Sequence, residues 1–121
     1  MSMQDEITKG IGAHGMWKNR LHSAIHSGRS DFAPEKVETD NQCDFGKWLY
    51  SLSPTEQTSD QCRKIQALHA AFHKEAARVL RIALSGDKAG AEKLMAPGGT
   101  YVNVSSELTA AMMKWKTLVG V

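Results

Sequence analysis

The chain has 121 residues, of which 23% are charged and 41% hydrophobic, and its formal net charge is +2 at pH 7. This length suits one compact domain with its own core, and the composition excludes both a disordered tail and a membrane protein. The 15 Lys and Arg residues are scattered, which argues against a nucleic-acid binder. No apolar run approaches the roughly 20 residues that cross a bilayer, and the opening MSMQDEITKG lacks the apolar block of a secretory signal. We therefore expect a single cytoplasmic domain over residues 1–121, without membrane insertion.

The spacing of apolar residues predicts helices along the whole chain. The first helix is expected over about residues 3–27, because its apolar residues share one stripe and Gly28 suits a helix end. Residues 29–40 are polar and contain Pro34, so they are expected to form a loop. A short helix is expected over about residues 45–52.

Three further helices are predicted in the second half of the chain. Ser53, Pro54 and Glu56 have the form of a capping box, which predicts that a long helix begins there and ends near residue 85, with residues 59–60 as a second possible start. A short helix follows over about residues 87–95, with Asp87 as its expected N-cap, and a last long helix closes the chain. Three long and two short helices predict an all-α, antiparallel four-helix bundle.

Three histidines are predicted on the apolar faces of two of these helices. His14 lies in the apolar stripe of the first helix, and His69 and His73 lie one turn apart among apolar residues of the long helix. Burial of an unpartnered polar ring costs on the order of 1–3 kcal/mol, so three such rings need an explanation. Because a pair at i, i+4 aims two nitrogens at one point, these histidines are candidate metal ligands.

Cys43 offers a fourth ligand to the same interior. It precedes Phe45, Gly46 and Trp48, where the glycine allows close backbone approach and the aromatic residues can anchor the segment in the core. Zinc favours four tetrahedral nitrogen or sulfur ligands, which three histidines and one thiolate supply. The free imidazole N–H groups would then need hydrogen-bond acceptors. The candidates are backbone carbonyls or the carboxylates of Asp40 and Asp44, which flank Cys43.

The remaining histidines and the second cysteine have simpler interpretations. His22 and His26 share the i, i+4 spacing but fall at the edge and outside of the apolar stripe, so they are expected to be solvated. Cys62 has no ligand pattern around it and is expected to be a small buried residue. Two cysteines cannot form a disulfide framework, so both are expected to be reduced.

The ordered pattern resembles the chemoreceptor zinc-binding domain (CZB) family of bacteria. It consists of His14-x-x-Trp17, then Cys43-x-Phe45-Gly46-x-Trp48, then His69-x-x-x-His73. The match spans residues 14–73, and no ligand position departs from the family pattern. His14, Cys43, His69 and His73 match the four zinc positions of the family.

The resemblance implies a regulatory module that binds zinc and has no catalytic residues. It implies a four-helix bundle, commonly a homodimer, with residues 14–73 as the ligand core and residues 87–119 as closing helices. It also implies an output domain, a chemoreceptor or a diguanylate cyclase, in the same chain or in another. Members of the family are associated with sensing zinc or, through the zinc-bound cysteine, hypochlorous acid.

Other classes of function remain open from the residues alone. A zinc hydrolase would use three histidines and a water, but Ala70 stands where the general-base glutamate of a zincin would be. A di-iron bundle would need bridging carboxylates that neither histidine-bearing helix places in the interior. A helical homodimerisation module with a purely structural zinc, or with incidental histidines, is the remaining alternative.

Overall fold

The computed structural model describes residues 2–119, and within this range the secondary structure is helical with no strand. The helices in chain order are α1 (Met3–Ser27), α2 (Pro34–Val37), α3 (Asp44–Ser51), α4 (Pro54–Gln57), α5 (Asp60–Leu84), α6 (Lys88–Met95) and α7 (Thr100–Val119). The long helices α1, α5 and α7 pack against one another, while α2 and α6 pack on α5 and α3 packs on α1. The all-α class is confirmed, and the antiparallel four-helix order stays a prediction.

The expected loop over residues 29–40 is wrong in part, because it contains the one-turn helix α2. Pro34 occupies the first turn of α2, where its fixed φ suits a helix and its missing N–H would have had no partner. The apolar contact that holds this turn is Val37, which is 6% exposed and lies in the core. A polar stretch with a single buried valine gives almost no periodic signal, so the turn could not be seen in the sequence.

The expected start of the long helix at Ser53 is also wrong. Ser53 is an N-cap, with Glu56 N–H donating to Ser53 Oγ and the Ser53 hydroxyl donating to a Glu56 carboxylate oxygen, but it caps only the single turn α4. The long helix α5 begins at the second possible start, where Cys62 N–H donates to the Ser59 hydroxyl at 3.2 Å. The chain therefore has two N-caps close together, Ser53 for α4 and Ser59 for α5.

Other helix ends agree with the sequence. The α1 helix ends at Gly28, which has φ of 74° and donates its N–H to the Ala24 carbonyl. Glycine suits this left-handed conformation because glycine has no Cβ. At the start of α6, Asp87 accepts a hydrogen bond from Gly90 N–H at 2.9 Å.

The predicted apolar faces form the core between the long helices. Phe72, Ile65 and Ile7 are fully buried, and Leu21 joins them from α1. Burial of each such side chain contributes roughly 1.5–3 kcal/mol. Among residues 2–119, no helix has both the length and the apolar character needed to cross a membrane.

Candidate metal centre

Four side chains from three parts of the fold meet in the core. His14 comes from the middle of α1, His69 and His73 from successive turns of α5, and Cys43 from the residue before α3. One potential ligand atom from each lies within 4.8 Å of the other three. His69 is fully buried and His14 and His73 nearly so, whereas Cys43 is half-buried. The structure therefore brings together all four residues that the sequence singled out.

The distances among the four atoms fit the edges of a tetrahedron around zinc. The Nε2 atom of His69 lies 3.0 Å from Nε2 of His14 and 3.1 Å from Nε2 of His73. Cys43 Sγ lies 3.3, 3.5 and 3.9 Å from Nε2 of His69, His73 and His14, respectively. Zinc bonds of about 2.0–2.1 Å to nitrogen and about 2.3 Å to sulfur give tetrahedral edges of about 3.3 and 3.6 Å. The donor set and its spacing fit a zinc ion.

Two of the histidines are oriented by backbone carbonyls. His14 Nδ1 lies 2.8 Å from the Gly10 carbonyl oxygen, and His73 Nδ1 lies 2.9 Å from that of Val37. Because a carbonyl only accepts, each Nδ1 carries the proton and donates, which leaves the Nε2 lone pair facing the cluster. His69 Nδ1 is buried with no hydrogen-bond partner among the described residues.

The carboxylates offered by the sequence do not take this orienting role. The Asp40 carboxylate instead accepts a hydrogen bond from the Tyr50 hydroxyl at 2.8 Å. Among the described residues, the Asp44 carboxylate makes no hydrogen bond to the histidines. The sequence could have identified the Gly10 carbonyl as the hydrogen-bond partner of His14, because Gly10 lies one helical turn before His14. The carbonyl of Val37 could not, because it belongs to the unpredicted turn α2.

Burial favours the neutral, ligating form of the histidines. It lowers the pKa of His14 to about 4, with repulsion from His73 as the second cause. Burial likewise lowers the pKa of His69 to about 2, with repulsion from His14 and His73 acting in the same direction. The pKa of His73 is also lowered by burial, against its bond to the Val37 carbonyl. Near pH 7 the imidazoles are therefore uncharged, and their clustered lone pairs favour a cation.

The start of α3 positions the Cys43 thiol. Cys43 is the N-cap of this helix, and its Sγ accepts a hydrogen bond from Gly46 N–H at 3.3 Å. Burial raises the pKa of this thiol, and the N–H bonds at the helix start oppose the rise. A bound metal ion would favour the thiolate outright.

Gly46 allows the close approach that the sequence predicted. A Cβ at this position would overlap the Asp40 carbonyl oxygen and would lie 3.1 Å from Cε1 of His69. The absence of a side chain thus lets α3, the chain before it and α5 meet beside the thiol.

Aromatic rings enclose the histidines on their apolar side. The rings of Phe72 and Phe45 meet the His14 ring edge-on, with centroids 5.0 and 5.6 Å away. Trp48 packs between Phe45 and Trp115, with centroids 5.7 and 5.5 Å away. These rings lower the local dielectric and hold the ligating side chains in place.

The three residues interpreted as unrelated to the site lie outside the cluster. His22 and His26 are exposed, as expected from their position on α1. Cys62 is fully buried, as expected for a small core residue. Within residues 2–119 the four-residue cluster is the candidate group for a metal, and it contains no carboxylate that could bridge two irons.

Comparison with known proteins supports the same centre. The family model of the chemoreceptor zinc-binding domain, CZB, matches residues 14–80, which is more than half of the chain and includes all four clustered residues. Comparison with curated proteins and with solved structures gives no significant match. The chain therefore belongs to the chemoreceptor zinc-binding domain family, and its cluster of three histidines and one cysteine is fit for the zinc ion that this family binds.

Proposed function

We propose that the chain is a zinc-binding regulatory domain of bacterial signal transduction, in which His14, Cys43, His69 and His73 together hold one zinc ion. The observation that carries the proposal is the convergence of four donor atoms within 4.8 Å in a core that is otherwise apolar. Without a cation, three unprotonated nitrogens and a thiol would face one another, which is costly in a low dielectric. A zinc ion would supply the missing positive charge and would bind all four donor atoms.

The residues of the centre connect three separate elements. His14 belongs to α1, His69 and His73 to α5, and Cys43 to the chain that leads from α2 to α3. This last segment makes two contacts with the centre, through Cys43 Sγ and through the Val37 carbonyl that orients His73. Because ligand binding energy favours the helix arrangement that brings the donors together, loss of zinc or of the thiolate shifts the packing of α2 and α3.

Cys43 is also the residue through which an oxidant would act. Its thiolate takes the oxygen of hypochlorous acid, chloride leaves, and the product is a sulfenic acid, which is a weaker ligand. Cys43 is half-buried, whereas Cys62 is fully buried and serves as an internal reference. Rapid, reversible loss of one thiol at Cys43 with hypochlorite supports oxidant sensing, and an unreactive Cys43 in the zinc-loaded chain contradicts it.

The proposed setting follows from the family. We propose that residues 1–121 act as one cytoplasmic domain, with residues 14–73 as the ligand core and residues 87–119 as closing helices, and that the domain forms a homodimer. A change in the packing of α2 and α3 would pass to a chemoreceptor or diguanylate cyclase output domain in the same chain or in another. Size-exclusion chromatography with light scattering tests the dimer directly.

No catalytic role is proposed for the centre. Four protein ligands fill a tetrahedral zinc site, whereas catalytic zinc keeps one position for water or substrate. The absorption spectrum of the cobalt-substituted chain separates the two cases, because a four-coordinate site with one thiolate differs from a site that holds water. A water ligand in that spectrum would contradict the proposed regulatory centre and would favour a hydrolase.

The alternative is a helical homodimerisation module in which zinc is purely structural. Hydrogen exchange with and without EDTA separates it from the regulatory proposal. A regulatory domain keeps its core protected when zinc is removed, and exchange rises locally over residues 34–51. A purely structural zinc instead predicts loss of protection along α1, α5 and α7 together. The His14→Ala variant should reproduce the metal-free pattern in either case.

A further inference from the structure

A cavity of about 620 Å³ opens beside the candidate metal centre, on the side of α1 and the start of α3. Two of the four proposed ligands, His14 and Cys43, line it, together with Ala13, Trp17, Gln42 and Phe45. The other two, His69 and His73, are not among its lining residues, and they are 0% and 3% exposed. The centre is thus accessible from one side and closed by α5 on the other.

The size and polarity of the cavity suit a small molecule rather than a protein segment. Its volume falls in the range of small-ligand sites, about 300–1,000 Å³. Aromatic rings of Trp17 and Phe45 form part of its wall, and its polar lining carries both signs of charge, with Asp44 and Arg20 among the lining residues. A molecule that carries both amine and carboxylate or thiolate groups therefore finds complementary partners around the sulfur.

We propose that this cavity is a binding site for small zinc-chelating molecules, which exchange zinc directly with Cys43 and His14. This inference rests on the proposed four-residue zinc site. Four protein ligands close a tetrahedral zinc site, so an incoming donor would have to replace one of them, and it could approach only from a side that is open to solvent. The cavity is such a side, because the half-buried Cys43 lines it and the two histidines of α5 do not.

The exchange needs no oxidant or reductant. A thiolate or carboxylate of the molecule in the cavity would replace Cys43 Sγ as a ligand of the zinc ion, and the freed Cys43 thiolate would take a proton from solvent. His14 would follow, and the two histidines of α5 would be released last. Uptake is the same sequence in reverse, so filling the cavity slows release and uptake together and leaves the affinity unchanged.

Zinc transfer from the loaded full chain to EDTA tests this inference. We expect the transfer rate of the unsubstituted chain to rise in proportion to the EDTA concentration while the cavity is mostly empty, and to level off when the cavity is filled. Ala13→Phe places a large ring at the cavity, and we expect it to slow release and uptake by about tenfold, or about 1.4 kcal/mol of activation free energy. The matched control is Ala110→Phe, at an exposed position of α7 that does not line the cavity. It should leave both rates unchanged.

A second measurement needs no substitution. EDTA-type chelating groups coupled to a dextran polymer cannot enter the cavity, so transfer to them should be much slower than transfer to free EDTA at equal chelator concentration. A transfer rate that does not depend on EDTA concentration, or that is equal for free and polymer-bound chelator, would overturn the inference, because zinc would then leave through opening of the fold. A chain that takes up no zinc at all would instead refute the four-residue site itself.

Discussion

Replacing Gly46 by alanine tests whether the close approach beside Cys43 holds the metal centre together. The added Cβ overlaps the Asp40 carbonyl oxygen, which is backbone and cannot rotate away, and it also crowds Cε1 of His69 at 3.1 Å. Either the chain around Asp40 or the start of α3 must move. Because Cys43 lies between these two positions, its sulfur must move with them.

The expected cost follows from two opposing effects. Alanine gains about 1 kcal/mol over glycine as a helix former, whereas forcing an extra carbon into a packed site costs typically about 1–3 kcal/mol, and more when backbone must move. We expect the overlap to prevail. Displacement of one ligand should in addition weaken zinc binding by at least about tenfold, or about 1.4 kcal/mol.

The assay combines zinc competition against a chromophoric chelator with denaturant unfolding, in zinc and in EDTA. Gly12→Ala is the matched control, because a Cβ at Gly12 meets nothing within 4 Å on the exposed face of α1. It should raise the free energy of unfolding by about 0.5–1 kcal/mol and leave zinc affinity unchanged. If Gly46→Ala instead behaves like Gly12→Ala in both measurements, the close approach at Gly46 does not hold the metal centre together.

Three further predictions follow from the centre and its surroundings. The metal-free chain should lose stability as the pH falls below about 6.5, because the depressed pKa values of His14 and His69 mean that the unfolded state binds more protons. The slope of unfolding free energy should reach about 1.4 kcal/mol per pH unit for each histidine, and a flat profile between pH 6.5 and 4 would contradict it. Val37→Pro should weaken zinc binding through displacement of the carbonyl that orients His73, whereas the exposed neighbour Thr39→Ala should not, as judged by zinc competition. Tyr101→Phe should leave the free energy of unfolding unchanged or raise it by up to about 1 kcal/mol, because the buried Tyr101 hydroxyl has no hydrogen-bond partner among residues 2–119. A clear loss of stability in denaturant unfolding would show that the hydroxyl is bonded.

The sequence predicted the fold best where a feature depends on the residue type at one position or on regular spacing along one helix. The stop at Gly28, the cap at Asp87 and the buried faces of the long helices could be predicted, because each depends on contacts within a few residues or on a regular spacing. The four clustered residues could be predicted because polar groups on apolar faces need a common partner. Their order along the chain also matched a family pattern.

The remaining features depend on contacts between distant parts of the chain. The turn α2 exists because Val37 reaches the core beside α5, and no local pattern specifies that contact. The break between α4 and α5 was undecided because Ser53 and Ser59 are both competent N-caps. The choice of carbonyls over Asp40 and Asp44 as histidine partners depends on tertiary geometry alone.

Elemental analysis of the purified chain tests most directly whether His14, Cys43, His69 and His73 hold one zinc ion. The comparison is with Cys43→Ala, and Cys62→Ala is the matched control because Cys62 is fully buried away from the cluster. We expect about one zinc per chain in the unsubstituted protein and in Cys62→Ala, and loss or marked weakening of zinc binding in Cys43→Ala. Absence of zinc after incubation with the metal, or equal zinc content in both cysteine variants, would contradict it.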